Sequence, residues 1–85
     1  MGRSYRSKPR NLANKLLSIR RNLLHLSQTE MARALDLKVH YSAVSQYELG
    51  TREPDLIVLL RYARLAGISI DVLVDDNLDL PTKLS

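Results

Sequence analysis

Eighty-five residues suit one domain and leave little room for a deep substrate pocket. Hydrophobic residues make up 45% of the chain, with no Phe or Trp, so it reads as globular and not disordered, built from helices packed through aliphatic side chains. The absence of cysteine excludes disulfides, thiolate–zinc sites and cysteine nucleophiles and fits a reducing cytoplasm, while the net charge of +4 points toward an anionic partner.

Residues 1–8, MGRSYRSK, show no apolar periodicity and read as a basic, flexible arm. Pro9 can open a helix, since its missing N–H costs nothing in a first turn, with Ser7 or Lys8 just before it. Leu12, Leu16, Ile19 and Leu23 recur at spacings of three and four, which predicts a helix over 9–24 with Lys15, Arg20 and Asn22 off its apolar stripe. Ser27-Gln28-Thr29-Glu30 is a capping box: the Ser27 hydroxyl can accept from the Glu30 N–H while the Glu30 carboxylate reaches back. It opens a helix over 28–35 with Met31, Ala32 and Leu35 inward and Asp36 as its exit.

Residues 37–41 are a connection, and either His40 or Ser42 caps the next helix, which runs to Leu49 with Val44 and Tyr47 inward. Gly50 fits the left-handed position after that helix, and residues 51–54 form a loop. Asp55 is a good N-cap for a helix over 56–66, with Leu56, Leu59, Leu60 and Ala63 as its buried face and Gly67 as its end. Ser69 caps a short fifth helix containing Ile70, Val72 and Leu73. Residues 75–85 are an acidic tail broken by Pro81. The expected organisation is therefore an arm (1–8), an all-α domain (9–74) and an acidic C-terminal tail (75–85), with no internal repeat.

The charge is unevenly spread. Residues 1–24 carry Arg3, Arg6, Lys8, Arg10, Lys15, Arg20 and Arg21 and no acid, a net +7; residues 25–52 balance to zero; residues 53–85 sum to −3. A cationic end of this kind suits a polyanion, although a solvated basic tag has the same composition. No apolar run approaches a membrane span, no apolar segment follows the basic start as a secretory signal requires, and Arg6 stands where myristoylation wants Ser or Thr.

Short capped helices a few residues apart are what a helix-turn-helix requires. Arg21, Leu26-Ser27-Gln28, Met31-Ala32, Leu35, Val44-Ser45, Tyr47-Glu48, Gly50, Arg52, Pro54, Leu59, Ala63, Gly67 and Ile70-Asp71-Val72-Leu73 together resemble the signature of the lambda-repressor-like (Xre/Cro-type) helix-turn-helix family. The resemblance spans about residues 12–74, and its strength lies in the ordered set, since each piece alone is weak. It implies a compact five-helix, all-α domain that binds double-stranded DNA as a transcriptional regulator of the repressor type, with a recognition helix over about 42–49. It also implies a homodimer on an inverted repeat.

Carried over residue by residue, the resemblance makes Gln28 a phosphate contact at a helix N-terminus, a place suited to anions; the alternative is a residue that only accompanies the capping box. Gln46, Ser42 and Tyr41 become base contacts, Gln46 by the paired donor and acceptor that match adenine. Ser45, Thr51, Arg52 and Arg10 become phosphate contacts, with a salt bridge to Glu53 or Asp55 as the plainer role for Arg52. Arg21 and Glu48 correspond to the family's structural ion pair. The sequence departs from the pattern at His25 and Asp36, where glycine is usual, and in a turn after Leu35 about two residues longer than usual.

Catalytic constellations are missing: the two histidines, His25 and His40, stand in no metal or nucleophile motif, and Asp75-Asp76 reads as solvated charge in a tail. The expectation is a binding protein with no cofactor, cytoplasmic and nucleoid-associated when on DNA. The rival reading is a protein-interaction module, antitoxin-like, immunity-regulator-like or coactivator-like, in which tail residues Leu78, Leu80 and Leu84 either cover the domain or meet a protein partner.

Overall fold

A computed structural model describes residues 10–35 and 40–81. Within them the chain forms α1 (Leu12–Ser18), which continues through a π-helical turn (Ile19–Leu23), then α2 (Gln28–Leu35), α3 (Tyr41–Leu49), α4 (Leu56–Ala66) and α5 (Ile70–Val74). Helix α1 packs on α3 and α5, and α2 on α3 and α4, around one aliphatic core. The all-helical, five-helix expectation holds. The expected arm residues, the proposed start at Pro9, the Asp36 exit and the long turn at 37–39 lie outside the described residues, as does Leu84.

The first helix begins at Leu12, where its apolar stripe begins, and Leu12, Leu16, Ile19 and Leu23 are all buried as the spacing requires. Its last turn widens: the Leu24 N–H donates to Ile19 O at 2.9 Å and the Leu26 N–H to Arg20 O at 2.9 Å, so the helix ends in loops of five and six residues. His25 then turns the chain with φ 56°, the left-handed conformation in which glycine is usual.

The capping box forms as read. The Glu30 N–H donates to Ser27 Oγ at 3.0 Å, and the Ser27 N–H to Glu30 Oε1 at 2.8 Å. Those bonds hold the Glu30 carboxyl below its ordinary range. His40, and not Ser42, is the N-cap of α3: its Nδ1 accepts from the Ser42 N–H at 3.2 Å, and the Ser42 hydroxyl lies 2.8 Å from the same nitrogen. Gly50 (φ 78°) and Gly67 (φ 70°) close α3 and α4 in the left-handed conformation that glycine adopts without strain. Asp55 caps α4 through the Val58 N–H at 3.0 Å. Ser69 has the extended backbone of an N-cap but no side-chain bond.

Two expectations about facing need correction. The core face of α4 is Val58, Leu59, Tyr62, Ala63 and Ala66, whereas Leu56 is exposed, because it stands in the first turn before the helix reaches the core. Lys15 is buried, not off the stripe: it lies three residues after Leu12 and four before Ile19, on the inward side. Its Nζ donates to Val72 O at 2.7 Å, in the last turn of α5, and to Asp75 O at 3.0 Å, on the C-cap residue of that helix. The tail is joined to the domain as well, with Leu80 packed against the core and Leu78 exposed.

Candidate nucleic-acid interface

Helix α3 divides cleanly into two faces. Ala43, Val44 and Tyr47 are buried. Ser42, Ser45, Gln46 and Leu49 follow at i, i+3, i+4 and i+7 and form the opposite stripe, with Ser42, Gln46 and Leu49 exposed and Ser45 half-buried. Leu49 keeps 73% of its surface in solvent, and sequence reasoning did not single it out. The signal was available: Leu49 follows Ser42 by seven residues and Ser45 by four, on the polar stripe, so it cannot reach the core on the other side. Tyr41, also exposed, leans on the His40 ring with centroids 4.4 Å apart, which braces it at the start of the helix.

The helix is fixed from below by an ion pair, and its arginine is not the expected one. Arg20 Nε donates to Glu48 Oε2 at 2.6 Å and Nη2 to Glu48 Oε1 at 3.0 Å, a two-pronged contact between the π turn and α3. A third Arg20 donor, Nη1, meets Leu26 O at 2.9 Å and ties down the turn before α2. Arg21, the residue expected to pair with Glu48, is exposed. The physical reason is register: Arg20 sits four residues after the fully buried Leu16, while Arg21 follows the outer edge marked by Leu17.

Gln28 joins the same group. Its Nε2 donates to Glu48 Oε1 at 3.1 Å, so its side chain is turned partly inward and couples the start of α2 to α3. The first-turn amides of Gln28 and Thr29 make no hydrogen bond among the described residues, because the capping box takes only those of Ser27 and Glu30. The N-terminus of α2 therefore presents free N–H groups beside α3.

On the other side of α3 lies an open cleft of about 310 Å³ between α1 and the α3–α4 loop, lined by Arg10, Tyr47, Gly50, Arg52, Glu53 and Pro54 among others. It brings together two arginines 42 positions apart in the chain, both exposed. The Arg52 guanidinium carbon stands 5.9 Å from the centre of the Tyr47 ring, within reach of a cation–π contact, and forms no salt bridge with Glu53 or Asp55. Thr51 is spent locally: its N–H and its hydroxyl both donate to Gln46 O, at 3.1 and 3.3 Å, and close α3. Arg10 contributes its backbone to a further contact, with its N–H donating to Asp76 Oδ2 at 2.9 Å and the N–H of Asn11 to Asp76 Oδ1 at 3.1 Å.

The fold sets Ser42, Ser45 and Gln46 on one face of α3, brings Arg10 and Arg52 together in the cleft beside Tyr47, keeps Thr51 and Gln28 partly engaged within the protein, and leaves Glu48 to the framework with Arg20. Among the described residues no group of three His, Cys, Asp or Glu side chains is placed to hold a metal ion. No helix among them is long and apolar enough to cross a membrane.

This is the arrangement of a helix-turn-helix protein: two short helices successive in the chain, α2 and α3, packed on each other, the second presenting a largely polar, exposed stripe. A family model described as helix-turn-helix matches residues 17–73, and the chain belongs to that lambda-repressor-like family. Among solved structures the chain is similar to the P22 c2 repressor protein, determined in complex with synthetic operator 9T in the presence of Tl⁺. The similarity has a TM-score of 0.67 at 23% identity and covers 76% of this chain and 94% of that one. A search of curated proteins gave no match.

Proposed function

We propose that this chain is a sequence-specific regulator of transcription, of the repressor type, that binds double-stranded DNA with α3 in the major groove. The observation that carries the reading is the stripe Ser42–Ser45–Gln46–Leu49 on a helix anchored by Arg20–Glu48, in which the Gln46 amide and the Leu49 side chain stand exposed. The P22 c2 repressor, which has the same fold, is described in complex with an operator, and this supports the reading.

In the proposed complex Gln46 pairs with an adenine edge, Ser42 and Tyr41 reach neighbouring bases, and Leu49 offers apolar contact to a thymine methyl group. The free amides at the start of α2, with Gln28, face one phosphate, while Arg52, Arg10, Ser45 and Thr51 track the backbone and set position rather than sequence. A single module offers a small interface, so a homodimer on an inverted repeat, with half-sites about one turn or ~34 Å apart, completes the site. The protein acts by binding, without cofactor, in the cytoplasm where the chromosome lies.

Gln46→Ala tests the assignment. Against a panel of single-base variants of the preferred duplex, it loses about 1–3 kcal/mol of discrimination at one base pair and keeps its helical circular dichroism. Unchanged discrimination across the panel removes Gln46 from the reading face.

A further inference from the structure

We infer that Asp76 is a positioning residue for the DNA-facing start of α1, holding Arg10 where a duplex phosphate meets it. The inference rests on the DNA-binding reading above. Helix α1 lacks a cap of its own: Asn11, the residue before Leu12, makes no side-chain bond to the first turn. Both oxygens of Asp76 fill that gap from 65 and 66 positions away, accepting from the N–H groups of Asn11 and Arg10 at 3.1 and 2.9 Å.

Asp76 is itself held in place. Asp75 forms a tight turn around it, accepting from the Asn77 N–H through its side chain at 2.9 Å and from the Leu78 N–H through its carbonyl at 3.0 Å. The Lys15 ammonium group grips Val72 O and Asp75 O directly before it, and Leu80 anchors the segment after it on the core. The two contacts are reciprocal: α1 caps the end of α5 through Lys15, and the residue after that end caps the start of α1. The same two N–H donors hold the Asp76 carboxyl below its ordinary range.

Simple electrostatics predicts the opposite sign for loss of the Asp76 carboxylate. Arg10 lines the cleft with Arg52, so a carboxylate beside it should repel DNA, and removing that charge should tighten binding. A carboxylate that orders Arg10 predicts the reverse. Asp79 is the control: it is exposed in the same tail, borders a groove with Asn11 and Lys15, and makes no hydrogen bond among the described residues.

The experiment measures binding of the full chain, and of Asp76→Ala, Asp76→Asn, Asp79→Ala, Arg10→Ala and the Arg10→Ala/Asp76→Ala pair, to the duplex that the wild type selects, over a salt series. Amide ¹⁵N relaxation at Arg10 and Asn11 in the free proteins reports the order of the start of α1. The expected result is that Asp76→Ala binds about fivefold more weakly than Asp79→Ala, the size of effect that loss of one cap gives. Its salt slope falls by about 0.9, one phosphate contact. Asp76→Asn, with one acceptor oxygen, lies between, and the double variant is no weaker than Arg10→Ala alone. Asp76→Ala binding as tightly as Asp79→Ala, or losing affinity equally without Arg10, overturns the positioning role. A wild-type chain that binds no duplex overturns it together with the DNA reading, and the Arg10 and Asn11 amides distinguish that outcome from a cap that never forms.

Discussion

Replacing Arg20 with alanine removes both donors of a two-pronged bond to a carboxylate whose side chain is only 5% exposed, while Glu48 keeps one partner, the Gln28 amide. Breaking one side of a buried pair costs ~3–5 kcal/mol, because the remaining charge stays out of water. The surviving Gln28 bond and the residual exposure of Arg20 place the expected loss near the lower end, about 3 kcal/mol. A chain of this length has a total stability of ~4–13 kcal/mol at 0.05–0.15 kcal/mol per residue. The loss is therefore a large share of the whole and corresponds to roughly 12–24 °C in Tm. Arg21→Ala, on the exposed side of the same turn, is expected to fall within ±0.5 kcal/mol of wild type. Urea melts followed by circular dichroism at 222 nm, analysed with a shared m-value, measure both. A control in which Arg20→Met is combined with Glu48→Leu should recover most of the loss, since an apolar pair leaves no stranded charge. Equal effects of Arg20→Ala and Arg21→Ala would refute the assignment of the pair and the account of how α3 is held.

Two further outcomes follow from local features. The Glu30 and Asp76 carboxyls are held below their ordinary ranges, both chiefly by backbone hydrogen bonds, so they titrate lower in the folded than in the unfolded chain. Their contribution to stability is thus complete above the unfolded values near ~4 and is lost as pH falls through the folded ones; Glu30→Gln with Asp76→Asn should flatten the acid limb of a stability–pH curve, and an unaltered limb would contradict the caps. Gly50→Ala meets only ordinary contact, with Ala13 Cβ 3.7 Å from the new carbon, but forces an L side chain to φ 78°; a loss of about 1–2 kcal/mol in a thermal melt is expected, and no loss would mean that the α3–α4 loop relaxes at no cost.

What the sequence revealed depended on whether the relevant partner was near in the chain. Ser27–Glu30, Asp55, Gly50 and Gly67 act within one turn of themselves, and each is legible because a cap or a left-handed residue has its own chemistry at a fixed offset. The stripe Leu12–Leu16–Ile19–Leu23 is legible for the same reason. The burial of Lys15 and the partners of the exposed Asp76 are not legible, because those partners lie more than 50 positions away and no local rule places α5 against α1. Arg20 and Arg21 are neighbours of the same type about 100° apart around the helix, and only the buried residue four back, Leu16, says that Arg20 is the one facing α3. The polar face of α3 is half legible: Ser42, Ser45 and Gln46 stand out by type, whereas an apolar Leu49 on the same stripe gives no such signal.

The most direct test of the central claim is binding of the full chain to a randomised duplex pool across a salt series, with the retained fraction sequenced. The account predicts one enriched inverted-repeat motif and a log K that falls linearly with log salt, the slope divided by about −0.9 counting the phosphates neutralised. Binding that stays near ~10⁻⁴–10⁻⁶ M with no enriched motif would contradict it.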